Sequence, residues 1–164
     1  MIPVKELHAM GVNFVENLLK DKGRVMPQML IHVCLEGEPS KRKEIDVIAM
    51  EVTNEDEKKQ MKCRAAIKSM IRKCREKGVF EGALMVSEAW MASLHKNESH
   101  PGRNKAKDHS SAKEVIIVSA WVDSDNKFNK CWEITGKEGD KSRSLGNTVM
   151  ETSDFESWVS ESFQ

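Results

Sequence analysis

Apolar residues at helical spacing open the chain. Val4, Leu7, Val15, Leu18 and Leu19 keep one face through Lys22. Pro3 tolerates a helix start because its missing N–H would be unpaired there anyway, and Gly23 supplies the stop. "QMLIHVCLEG" then reads as a strand, "GEPSKRKE" as its turn, and "IDVIAMEV" (45–52) as the returning hairpin partner. Thr53 with Asp56 forms a capping-box pattern ahead of a helix that runs to about Lys77. Cys63, Ile67, Met70 and Cys74 are its apolar stripe, and Gly78 ends it.

Residues 79–93, "VFEGALMVSEAWMAS", predict a long strand in which Gly82 marks a bulge or a close approach. "KEVIIVSAWVDS" is another strand, and its unbroken apolar run Val115–Val118 predicts a central position covered on both faces. "DSDNKFN" turns the chain into "KCWEIT". "TVME" is a short edge strand, and Ser153 with Glu156 caps a terminal helical turn carrying Phe155, Trp158, Val159 and Phe163.

The order α-β-β-α-β-β-β, with a short last strand and helix, predicts an α+β fold. Five to six strands form an antiparallel or mixed sheet packed by two main helices. The 164 residues fit one domain, 1–164, with flexible loops at 95–113 and 136–147. Met26, Met29, Met50, Met61, Met70, Met85, Met91 and Met150 fall in apolar positions and read as core filling. Trp90, Trp121 and Trp132 are expected to pack on the sheet, and Trp158 on this domain or on a partner.

Charge changes the picture by what it removes. Lys and Arg number 26 against 26 Asp and Glu, so the whole chain has no electrostatic bias toward nucleic acid or membranes. No apolar run approaches the roughly 20 residues that span a bilayer, and the N-terminus lacks the pattern of a secretory signal. A cytoplasmic location is the expectation, with four scattered cysteines as reduced thiols.

Three groups of residues could carry chemistry. His95, His100 and His109 lie in the 95–113 stretch, but their spacing matches no structural zinc pattern, and Lys96, Lys105 and Lys107 would repel a cation. "SHPG" resembles part of the JAMM-type metalloprotease motif, yet Glu98 stands where its first histidine belongs and Glu114 where its aspartate does. No metal and no cofactor are therefore expected. Glu88 sits within an apolar strand and shares a face with Leu84, Val86 and Trp90, so burial there would demand a cationic partner. The second helix is basic: residues 54–77 hold nine Lys or Arg against four acids. Arg64, Lys68, Arg72 and Arg75 share a face that could meet phosphates. Residues 138–164 are net acidic by four and offer that face a partner within the fold or on another copy.

The strand ending "VSEAWM", the loop element "HPGR" and the strand "KEVIIVSAW" resemble a microbial and phage protein family of unknown function. The likeness spans about a quarter of the chain. It implies a small cytoplasmic domain, assigns no catalytic residue, and suggests Glu88 and Arg103 as an ion pair. The resulting expectation is a non-catalytic protein that binds a protein partner or itself, with Glu88, His100 and Arg103 as its candidate surface. Two alternatives stand beside it. One is a metal-dependent or hydrolase-like enzyme using Glu88 and the 95–113 loop. The other is a nucleic-acid accessory protein using Arg64, Lys68, Arg72 and Arg75.

Overall fold

The computed structural model describes residues 2–48, 57–97, 106–137 and 139–163. Helix α1 spans Val4–Lys22 and helix α2 spans Glu57–Glu76. The strands are β1 (Gln28–Cys34), β2 (Arg42–Ile48), β3 (Phe80–Met91), β4 (Lys113–Trp121), β5 (Lys127–Thr135) and β6 (Ser144–Thr152). A 3-10 turn, Ser160–Phe163, ends the described chain. The fold is α+β: one six-stranded sheet in the order β2-β1-β3-β4-β5-β6, with every adjacent pair antiparallel. Among the described residues no helix is long and apolar enough to cross a membrane.

Each sheet face buries its own core. Strand alternation sends Leu30, Leu84, Val86, Ile116, Val118 and Ala120 to one face, where Leu7, Val15 and Leu19 of α1 cover them. Met29, Ile31, Val33, Ala83 and Trp121 point the other way, under Ile67 and Ile71 of α2. β4 lies between β3 and β5; Val115, Ile116 and Val118 of its apolar run are fully buried, while Ile117 is half-buried.

Gly23 caps α1 with a left-handed φ of 64°, its N–H bonding the Leu19 carbonyl at 2.9 Å. Gly82 serves both expected purposes. The β1–β3 register shifts between His32 and Val33 beside it. A Cβ at Gly82 would also lie 2.4 Å from Leu7 Cδ2 and 3.0 Å from the Trp121 carbonyl oxygen. Leu7 therefore seats in the space that the missing side chain leaves.

The chain departs from its sequence pattern in several places. β6 is nine residues long, starting at Ser144, so only the front part of 136–147 is loop. "SLGN" lacks strand alternation, and its pairing with β5 is broken by register shifts on either side of Trp132. No helical turn starts at Ser153. Thr152 Oγ1 accepts the Asp154 N–H at 3.0 Å, which bends the chain, and helical geometry begins only at Ser160. Trp90 is 47% exposed, and Met26 (57%), Met61 (69%) and Met150 (39%) are also at the surface. Among the described methionines of this set only Met29 is fully buried, while Met70 and Met85 pack partly buried against the same core. The Thr53–Asp56 cap, Met50 and the end of the 45–52 strand lie outside the described residues.

Gly82→Ala should lower unfolding stability by about 1–3 kcal/mol through overpacking against Leu7. Urea denaturation checks this: the midpoint should fall with the m-value unchanged.

Candidate functional site

The most heavily built polar site lies where β3, β4 and β6 meet the end of α1. The tight cap at Gly23 aims its carbonyl outward, and the 137–143 turn docks on it. Gly139 N–H bonds the Gly23 oxygen at 3.1 Å and Arg143 Nη1 bonds the same oxygen at 2.9 Å. The turn is built locally: Asp140 Oδ1 accepts both the backbone N–H (2.9 Å) and the hydroxyl (2.8 Å) of Ser142. Those two bonds, the backbone one first, hold the Asp140 carboxyl below the usual carboxylate range.

Arg143 is thereby placed, fully buried, between two carboxylates. Nη1 meets Glu88 Oε1 at 2.8 Å, and Nη2 faces Glu114 Oε2 at 3.5 Å. Glu88 Oε1 also accepts the Val25 N–H at 2.9 Å. One guanidinium thus ties the segment after α1 to three strands. The alternation that makes Glu88 conspicuous in sequence does carry it to the α1 face, and it finds the cation that such burial demands. That cation is Arg143. Arg103 and His100 lie outside the described residues. The guanidinium is a rigid fork of donors, so Arg143 can orient and neutralise the two carboxylates it faces.

The base of the 95–113 stretch is closed by a hydroxyl. Ser111 Oγ donates to the Ser93 carbonyl at 3.0 Å and accepts the Ser93 N–H at 2.9 Å, extending the β3–β4 pairing by one step. His109 Nδ1 accepts the Ser111 N–H at 3.1 Å and lies 2.7 Å from its hydroxyl. Among the described residues no three His, Cys, Asp or Glu side chains converge as metal ligands do.

The basic face of α2 is turned to another use. The C-terminal segment lies along it: Arg64 stacks over Trp158 at 5.5 Å, Lys68 pairs with Glu161, and Arg75 donates to the Ser162 carbonyl at 3.3 Å. Arg72, the fourth of the set, is exposed. The segment's acidic balance was the signal for this arrangement, whereas Arg143 sits unmarked in a run of Lys, Ser and Gly.

Two histidines are buried in the scaffold. His8 Nε2 donates to the Val118 carbonyl at 3.0 Å and its ring meets Phe128 edge-on. His32 Nε2 faces Glu44 Oε2 at 3.0 Å. Burial pushes the pKa of both below the ordinary imidazole value, outweighing the Val118 bond at His8 and the Glu44 charge at His32.

No family model matches the chain, and no curated protein or solved structure matches it.

Two outcomes follow from this geometry. Arg143→Met should cost about 2–4 kcal/mol, because it leaves two half-buried carboxylates facing each other without a cation. Arg143→Met with Glu88→Gln should recover part of the loss, read by chemical denaturation as a double-mutant cycle. The histidines set a pH dependence. Their folded pKa values are depressed, so the unfolded chain takes up protons first. Stability should be complete above about pH 6.5 and fall as the pH drops through the lower folded values. Melting temperatures from about pH 7.5 to pH 5 check the sign, and the slope should shrink in His8→Gln.

Proposed function

We propose that this chain is a non-catalytic binding protein that recognises a protein partner through the end of the sheet bearing Trp90. The observation that carries the reading is Trp90 itself, 47% exposed at the end of a strand whose Leu84 and Val86 are fully buried. Two further large apolar residues, Met26 (57% exposed) and Leu94 (37% exposed), belong to the same end. Met26 follows Val25, which is bonded to Glu88. Leu94 follows Ser93, which is bonded to Ser111. Tryptophan is among the residues that most often dominate binding energy at protein interfaces.

Rigidity strengthens the case. Trp90 pairs in register with Glu114, and Glu114 faces Arg143, so the aromatic ring stands beside the most cross-linked part of the sheet. A recognition residue held on a braced strand loses little freedom when it binds. Lys113, bonded to Glu133 at 2.6 Å, gives the patch a charged border, the usual arrangement of apolar centre and polar rim. His100 and Arg103, the other two residues of the candidate surface, lie outside the described residues.

The test compares wild-type protein with Trp90→Ala in affinity purification from the native host, with melting temperature as the control for folding. A partner retained by wild type should be lost, by tenfold or more in recovery for a hot-spot residue worth about 2 kcal/mol. Equal recovery by the two proteins would overturn the reading. Salt-sensitive recovery of nucleic acid, unaffected by Trp90→Ala, would replace it with the nucleic-acid alternative.

A further inference from the structure

Arg143 uses only part of its donor set. Nη1 bonds both the Gly23 carbonyl, at 2.9 Å, and Glu88 Oε1, at 2.8 Å. Nε and Nη2 are buried and have no hydrogen-bond partner among the described residues. Glu114 Oε2 approaches Nη2 only to 3.5 Å, which supplies charge but no hydrogen bond. The two unpartnered atoms share one edge of the guanidinium, and their N–H bonds run parallel along it. That edge is the fork that takes both oxygens of a carboxylate at once. Buried donors are nearly always matched, so an open fork calls for an acceptor from elsewhere.

Space for one lies beside it. A cavity of about 310 Å³ opens between the last turns of α1 and the start of β6, with Arg143 in its wall. Leu19 and Leu145 give it apolar sides, and Glu16, Lys20 and Ser144 complete the lining. The lining grades from buried Leu19 to exposed Lys20, so the apolar part is deep and a cation stands at the mouth. A volume of this size admits a small organic molecule. Charge then limits which one. Glu88 is already met by Nη1 and by the Val25 N–H. Glu114 and Glu16 remain, and a ligand with two negative charges would be repelled by both. A phosphate dianion is therefore a poor match, whereas a monocarboxylate with an apolar tail satisfies the fork, the walls and the charge together.

We propose that this cavity binds a small monocarboxylate with an apolar tail. Its two oxygens occupy the Nε–Nη2 edge of Arg143, its tail lies between Leu19 and Leu145, and Lys20 guards the mouth. Glu114 is the competitor for the same edge and stays back when the ligand is bound. This binding does not depend on the Trp90 surface.

The experiment titrates hexanoate into the full-length protein and follows the arginine Nε–H resonances by NMR. Hexan-1-ol is the comparison, a probe with the same tail and no carboxylate. The Arg143 Nε–H resonance should move with hexanoate and saturate, with a dissociation constant in the millimolar range, and should not respond to hexan-1-ol. Two variants leave the Nη1 bonds in place, with melting temperature as the control for folding. Lys20→Glu should weaken hexanoate binding by about threefold or more, and Glu114→Gln, which removes the competing charge, should tighten it by about as much. Absence of a saturable shift in the wild type would overturn the proposal. So would an equal shift with hexan-1-ol, which would show an apolar cavity beside a fork that takes only water. Loss of hexanoate binding in Glu114→Gln would show that the two carboxylates do not compete, and it would overturn the proposal as well. A shift with inorganic phosphate as strong as with hexanoate would show an unselective anion site and would overturn the carboxylate assignment.

Discussion

A single buried guanidinium fixes the geometry at one end of this protein. Arg143 bridges the Gly23 carbonyl, Glu88 on β3 and Glu114 on β4 from a position one residue before β6. These groups come from parts of the chain as far as 120 residues apart. Hydrophobic burial alone would hold the same layers together, but it is indifferent to small slides of a helix end along a sheet. A buried charge is not indifferent, since moving it away from its opposite charges costs several kcal/mol. The clasp therefore defines where the end of α1, the 137–143 turn and the first residues of β6 sit. Its net contribution to stability is smaller than the cost of breaking it, because burying the three charges offsets much of their attraction.

From that fixed end the two faces of the sheet differ in how they close. α1 closes its face with Leu7, Val15 and Leu19, all at most 1% exposed, and Leu7 fills the space that Gly82 leaves open. The opposite face is closed in two pieces, a helix and the strap formed by the C-terminal segment, and three of the buried polar atoms without partners lie where those pieces meet. The strap's aromatic rings compensate by covering Trp121 and Phe80. The result is a sheet with one tightly matched cover and one that is assembled.

What the sequence discloses follows the range of the forces involved. Local patterns carry α1 and its Gly23 stop, the central place of β4, and the tight contact at Gly82. Each of these depends on residues within one turn or one strand. The need for a cation near Glu88 is equally legible, because an acid in an apolar strand is costly wherever the chain goes. Which cation answers it is not legible. Arg103 is nearer in sequence, and among the described residues the partner is Arg143, brought there by a turn docking on a helix cap. β6 is obscured for a related reason: its ladder is interrupted by register shifts, which erase the alternation that marks a strand. The strap was half visible. Its acidic, aromatic composition opposite a basic helix announces the partnership, but the bend at Thr152 replaces the helical start that Ser153 and Glu156 advertise.

The same reasoning ranks the parts by how readily they open. Local opening begins where few buried contacts and unpaired polar groups coincide, and it spares regions whose donors and acceptors are mutually satisfied. Arg143 Nε and Nη2 are buried at the clasp without a hydrogen-bond partner among the described residues, but Glu88 and Gly23 each accept two bonds there, and releasing either leaves a further donor unmet. The strap has no such interlock. Lifting it returns Ser160, Ser162 and Arg64 to water, where their unmet bonds are made, and this repays part of the lost aromatic burial. The clasped end therefore holds Trp90 on a rigid strand, while the strapped face yields first. A recognition surface benefits from that bracing.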